Sequence, residues 1–196
     1  MRVLSWAINR PGFVTARRIL WREVRNADLP EGLDVHRWLE EELVARGEAE
    51  SVAFLTSRRI DRVHDRAARI EGITARAVAT VGLSNAERVG LRQTAPRGPF
   101  GTINIAVTLD TGLGETGLIE ALSIAVQART AAIVDAAIPL AGGLATGTGT
   151  DCIALAAPPG ATDYAGLHTA IGEAIGRATY EAVREGAEQW RAEQAD

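Results

Sequence analysis

Lysine is missing from this chain altogether, and all 21 basic residues are arginine. Without a side-chain primary amine, neither Schiff-base catalysis nor an anchored pyridoxal phosphate is available. One cysteine, Cys152, excludes an intrachain disulfide and every multi-cysteine zinc site. His36, His64 and His168 lie far apart, and no two have helical metal-ligand spacing, which argues against a zinc held mostly by imidazole. Aromatic residues are sparse at 5%, so Ala, Gly, Val, Ile and Leu must fill the interior. No apolar run approaches the length of a membrane span. The start, Met1-Arg2-Val3-Leu4-Ser5-Trp6, lacks the long apolar stretch and cleavage site of a secretory signal. The expectation is a cytoplasmic protein without a membrane partner. A net charge of −4 argues against general binding to nucleic acid.

What is present is enough for one domain over 1–196, with 46% hydrophobic residues and a real core. Residues 2–8 and 13–25 read as two strands joined by a turn at Arg10-Pro11-Gly12-Phe13. The second carries Arg17, Arg18, Arg22 and Arg25, which read either as a basic surface for an anion or, preferably, as one solvated face. Asp34 can cap a helix over 35–46 that Gly47 stops, with Val35, Trp38, Leu39 and Leu43 on one face. His36 then lies on the surface. A short strand over 51–56 precedes a hairpin, 62–70 and 73–81, turning at Glu71-Gly72. Its second arm alternates Ile73, Ala75, Ala77, Ala79 and Val81 against Thr74, Arg76, Val78 and Thr80. His64, in the first arm, reads as structural.

Residues 91–101, with Gln93, Pro96, Gly98 and Pro99, read as a mobile loop. A strand over 102–109 buries Ile103, Ile105, Val107 and Leu109 and turns Thr102, Asn104 and Thr108 the other way. A helix over 115–138 groups Leu118, Leu122, Val126 and Ile133, with Glu120, Ser123 and Gln127 opposite. Arg129 projects into the apolar side and needs a carboxylate or an anionic ligand, unless it snorkels. A strand over 152–157 and a helix over 165–192 finish the chain. Leu167, Ile171, Ala174, Ile175, Ala178 and Ala182 form that helix's core face, edged by His168, Gly172 and Gly176. The fold class is therefore α+β: a mixed β-sheet built from hairpins plus a β-α-β unit, packed by two long helices and one shorter helix.

Between the last two of these elements but one lies Gly142-Gly143-Leu144-Ala145-Thr146-Gly147-Thr148-Gly149-Thr150-Asp151. It packs four glycines, three threonines and one carboxylate into ten residues. Glycine lets a ligand approach the main chain, and free N–H groups and hydroxyls can hold an anion or a developing oxyanion. No lysine follows the glycines, so this is not a nucleotide-phosphate loop of the Walker type. The plainer reading is a tight connection whose threonines satisfy its own backbone. If strands 73–81 and 102–109 are antiparallel and 102–109 and 152–157 parallel, three polar stretches meet at one sheet end. These are Ser84-Asn85, Thr102 with Asn104, and the Gly/Thr loop. His168 follows strand 152–157 at the opposite end, about 20 Å away, and reaches the site only if 158–164 runs back extended.

Taken together these stretches resemble the adenosylcobinamide amidohydrolases of corrinoid salvage. The resemblance rests on Gly82-Leu83-Ser84-Asn85-Ala86 with Arg88 and Gly90, and on Gly101-Thr102-Ile103-Asn104-Ile105. It continues through Gln127-Ala128-Arg129-Thr130, Ala145-Thr146-Gly147-Thr148-Gly149-Thr150-Asp151, Tyr164-Ala165-Gly166 with His168 and Thr169, Gly172-Glu173, Ile175-Gly176 and Tyr180-Glu181-Ala182-Val183. It covers nearly the whole chain, most strongly from residue 72 onward. The chain departs from the pattern at Arg129, where lysine is expected, and in its Arg- and Trp-rich amino-terminal third. The resemblance implies hydrolysis of the amide joining the aminopropanol arm to the corrin ring of adenosylcobinamide, giving adenosylcobyric acid for cobalamin synthesis. Complete corrinoids with an unsuitable lower base are further candidate substrates.

Such chemistry needs a nucleophile or activated water, a base, oxyanion donors and protonation of the leaving amine. Asp151 is the first choice for a carboxylate that activates water or orients a hydroxyl. Backbone N–H groups around Gly147 and Gly149, with Asn85 or Asn104, are the oxyanion donors. Thr146, Thr148, Thr150 and Ser84 are the candidate nucleophiles or amide-positioning groups, and His168 is the proton shuttle. Arg129 and Tyr164 join the substrate-binding set. No cofactor or metal of the enzyme's own is implied, since the cobalt belongs to the corrinoid substrate. The alternatives are a non-catalytic corrinoid carrier, which glycine-rich loops suit equally well, and a general amidase. The alanine-rich helices can also bury a subunit interface, leaving a homo-oligomer open.

Overall fold

The computed structural model describes residues 1–91 and 101–195. In chain order the elements are β1 (Arg2–Ser5), β2 (Gly12–Thr15), β3 (Ile19–Glu23), α1 (Val35–Ala45), β4 (Val52–Thr56), β5 (Val63–Ile70), β6 (Ile73–Val81), β7 (Ala86–Glu87), β8 (Ile103–Leu109), α2 (Glu115–Asp135), β9 (Pro139–Leu140), β10 (Gly143–Leu144), β11 (Gly147–Thr148), β12 (Cys152–Ala157) and α3 (Ala170–Ala195). The expected loop over 91–101, with Gln93, Pro96, Gly98 and Pro99, lies outside the described residues between its two ends.

Six strands form one mixed sheet in the order β2-β1-β12-β8-β6-β5. The β5–β6 hairpin turns on Glu71 and Gly72, both at positive φ, as a two-residue hairpin turn requires. Alternation then decides the faces. Ala75, Ala77, Ala79 and Val81 of β6, with Ile103, Ile105, Val107 and Leu109 of β8, are buried against α2 and α3. Small residues keep this layer thin. Ala121, Ala125 and Ala132 of α2 meet Ala174, Ala178, Ala182 and Ala187 of α3 in the same core.

By length and composition α2 is apolar enough to cross a membrane, contrary to the expectation that no run comes close. The difference arises from its alanines and isoleucines, which the core accounts for: eight of its residues are buried.

The strand expected over 13–25 breaks at Ala16-Arg17-Arg18 into β2 and β3. Only β2 stays in the main sheet, while β3 pairs in parallel with β4. Alternation alone cannot show a strand changing sheets. The β3–β4 pair covers the second face of the main sheet, where Phe54, Val52 and Trp21 pack on Ala106, Ala154 and Ala156. α1, capped by Asp34 accepting from Arg37 N at 3.1 Å, packs Leu39 and Leu43 on the outside of that pair. Of the four arginines of this stretch, Arg22 reaches Glu42 at 2.8 Å, and Arg18 and Arg25 pair with Glu48 and Glu23. α3 begins at Ala170 rather than 165, because Thr169 Oγ1 accepts from Gly172 N at 2.9 Å as a cap. Leu167 is consequently 69% exposed and not part of the core face.

Candidate functional site

Two pairings bring the polar stretches together. β8 runs parallel to β12 with Cys152 opposite Asn104, and β6 runs antiparallel to β8 with Val81 opposite Ile103. The carboxyl end of β6 therefore meets the starts of β8 and β12. β11 then pairs with β7, Gly147 opposite Glu87, and sews the Gly/Thr loop to the segment after Ser84-Asn85.

Asp151 is the hub. Its side chain is 6% exposed and forms an ion pair at 2.6 Å with Arg129, itself 14% exposed. Ile103 N donates to Oδ1 at 3.2 Å, Thr148 N donates to Oδ2 at 3.0 Å, and the Thr148 hydroxyl donates to Oδ1. A carboxylate accepts about four hydrogen bonds, so these donors fill it. Burial pushes the Asp151 carboxyl above the usual range, opposed by the Arg129 guanidinium and the Thr148 and Ile103 donors. Arg129 thus finds the carboxylate its position on α2 demands. Gly147 makes room for the pair: a Cβ there would overlap Arg129 Nη1 and lie 2.5 Å from Asp151 Oδ2.

Around this hub the other residues lock the loop. Arg129 Nη1 also donates to Thr146 O at 3.0 Å, and Thr146 Oγ1 accepts from Val89 N at 2.8 Å. Thr150 Oγ1 donates to Gly101 O at 2.9 Å and accepts from Asn85 Nδ2 at 3.3 Å. Thr102 Oγ1 donates to Thr150 O at 2.8 Å. Asn104, 1% exposed, donates from Nδ2 to Leu55 O at 2.8 Å and ties the site to β4. Ser84 is exposed beside Asn85, whose buried Oδ1 has no partner among the described residues.

A cleft of about 600 Å³ opens beside the hub. Gly101, Thr102, Asn104, Gly149, Thr150 and Asp151 supply its polar lining, and Trp6, Ile8, Val24, Leu29, Phe54 and Leu55 its apolar lining. Sequence reasoning did not find the apolar lining. Its signal was the Trp-rich amino-terminal third, which could not be placed without knowing that β3 and β4 cover the sheet. Cys152 also lines the cleft, but burial and the neighbouring Asp151 push its thiol up to about 12, far from a thiolate nucleophile at neutral pH.

Two of the candidates stand elsewhere. Tyr164, 78% exposed, and His168, also exposed, sit on the segment joining β12 to α3. That segment is held at the start of α2, where Gly114 N donates to Thr162 O at 3.0 Å and Ala165 N to Glu120 Oε2 at 2.6 Å. Arg129 lies nine residues further along α2, about 13 Å at 1.5 Å per residue. The structure does not bring Tyr164 or His168 to the Asp151 cluster. His64 is buried on β5, with Nε2 2.9 Å from Gln189 Oε1 of α3. Among the described residues, no three His, Cys, Asp or Glu side chains group as a metal site.

The family model described as adenosylcobinamide amidohydrolase (CbiZ) matches residues 1–195. No curated protein matches the chain.

Proposed function

The chain belongs to the adenosylcobinamide amidohydrolase family, amidohydrolases acting on adenosylcobinamide, and from that premise we propose that it cleaves the amide between the corrin ring and the aminopropanol arm. Water adds across the C–N bond, giving the free carboxylate of adenosylcobyric acid and releasing the aminopropanol amine. Complete corrinoids carrying an unsuitable lower base share that amide and fall within the same proposal.

The observation that carries the site assignment is the Thr148 hydroxyl donating to the buried, Arg129-paired Asp151, next to the cleft. In this scheme Thr148 Oγ attacks the amide carbon while its proton passes to Asp151. A carboxyl raised by burial is a better acceptor for that proton than an exposed one. The Gly149 N–H and Asn85 Nδ2 are the donors this scheme assigns to the developing oxyanion. Asp151 returns the proton to the departing amine, and water hydrolyses the Thr148 ester by the same route. Thr102, Asn104, Ser84, Thr146 and Thr150 position the amide-bearing periphery of the substrate. His168 and Tyr164 have no part in this scheme.

Mass spectrometry of the protein incubated with adenosylcobinamide tests both levels. Adenosylcobyric acid and free aminopropanol are the expected products, with turnover lost in Thr148→Val and Asp151→Asn. Normal turnover by both variants would overturn the assignment of roles. Tight binding of unchanged substrate by the wild-type protein would instead favour a carrier.

A further inference from the structure

Trp6 is 44% exposed on the loop after β1, yet it is not free. Its indole N–H donates at 2.7 Å to the backbone oxygen of Asp151, the hub of the site. One hydrogen bond pins that ring into the lining of the cleft, which it shares with the apolar Ile8, Val24 and Leu29. The same lining holds Thr102, Asn104 and Thr150, all donors or acceptors. The cleft thus presents apolar, aromatic surface and polar groups side by side.

A corrin combines the same two characters. Its conjugated, flattened macrocycle is apolar on its face, and its edge carries amide arms. We infer that Trp6 is the platform on which the corrin face rests, and that its N–H couples that contact to the Asp151 loop. This rests on the reading of the cleft as the amidohydrolase site. The inference gives the ring and its nitrogen separate jobs. The ring supplies contact area to the substrate. The nitrogen holds the carbonyl of Asp151, and through it the loop that carries Thr148. Trp6 is in this sense a specificity and positioning residue, not a group that takes part in bond making.

The two jobs separate in two variants. Trp6→Phe keeps a ring and loses the tether, and Trp6→Ala loses both. Equilibrium dialysis with adenosylcobinamide reads binding, and product formation reads kcat and KM. Trp6→Ala is expected to raise Kd and KM by about tenfold or more, the scale of a lost aromatic stack. Trp6→Phe should bind within about threefold of wild type, while kcat falls equally in both variants because both lose the N–H. A purely structural tryptophan would not produce this split. Wild-type binding by Trp6→Ala, or equal weakening by Trp6→Phe and Trp6→Ala, would overturn the inference. Thr148→Val is the control for the underlying reading. Full turnover by Thr148→Val would sink the catalytic scheme, whereas loss of turnover there with unaltered binding by Trp6→Ala would sink the platform alone.

Discussion

At the scale of single residues, the informative contact is made by Nη1 of Arg129. Arginine is favoured where a planar fork grips a carboxylate with two nitrogens. Here Nη1 reaches both Asp151 and Thr146 O, and Nε is buried with no partner among the described residues. A point charge at the place of Nη1 would meet the same two oxygens. Arg129→Lys is expected to keep most of the stability and of the turnover. Arg129→Met leaves the Asp151 carboxylate buried without its counter-charge, at a cost of about 3 kcal/mol or more. Urea denaturation of the two variants beside wild type measures this. Equal destabilisation of both would show that shape, and not charge, is what the site needs. The lysine that the family pattern leads one to expect at this position fits the same argument.

At the scale of elements, alternation made the β5–β6 hairpin and β8 legible, because each strand buries one face and a register slip would expose it. β12 was equally clear, as an apolar run between a glycine-rich loop and a proline pair. The convergence of Asn85, Thr102, Asn104 and the Gly/Thr loop was legible for the same reason, since strand directions determine which loops share an end. Three things were not. The β2–β3 break depends on which sheet receives the second half. The buried face of α2 is set by alanines, which carry little periodic signal of their own. Trp6 reaches the site through a tertiary contact to Asp151 O that no local pattern encodes. Gly172 and Gly176 edge the core face of α3 at the same spacing, yet their surroundings differ. A Cβ at Gly172 would overlap Gly166 O and lie 2.7 Å from Ala165 O, so that position is filled by backbone. A Cβ at Gly176 would find only Ile124 Cγ2, at 3.8 Å, an ordinary contact. Gly176→Ala is expected to stabilise the protein by about 0.5–1 kcal/mol through helix propensity. Gly172→Ala should destabilise it by about 1–3 kcal/mol through overpacking against a carbonyl that cannot yield. Thermal unfolding of the pair, one rising and one falling, checks the distinction.

At the scale of the whole molecule, the charges divide into an outer set and one inner carboxylate, and the two respond to acid with opposite sign. Glu48, Asp61, Asp65, Asp110 and Glu193 all lie below their usual range. The leading causes are hydrogen bonds from Ser51, Arg59, Arg76, Thr74 N and Arg58 respectively. A carboxyl whose folded pKa is depressed binds protons less readily folded than unfolded. Its contribution is complete above the unfolded value, about 4, and is lost as pH falls through the folded value. Asp151 is raised by burial, so it favours the folded state most at low pH and loses that preference as pH rises through its folded value. Five groups oppose one, and stability is expected to fall steadily once the pH drops below about 4. Each outer pair is screened by solvent and small by itself, so the sum is what a measurement sees. Asp65→Asn removes one member, the partner of Arg76 on the exposed side of the β5–β6 hairpin. Its stability curve should lie below wild type at pH 7 and approach it as the pH falls through the folded value of Asp65, because protonation then removes the same interaction from wild type. Urea denaturation across that range reads the two curves. Curves that stay parallel down to the lowest pH would mean that the Asp65–Arg76 pair does not couple proton binding to folding.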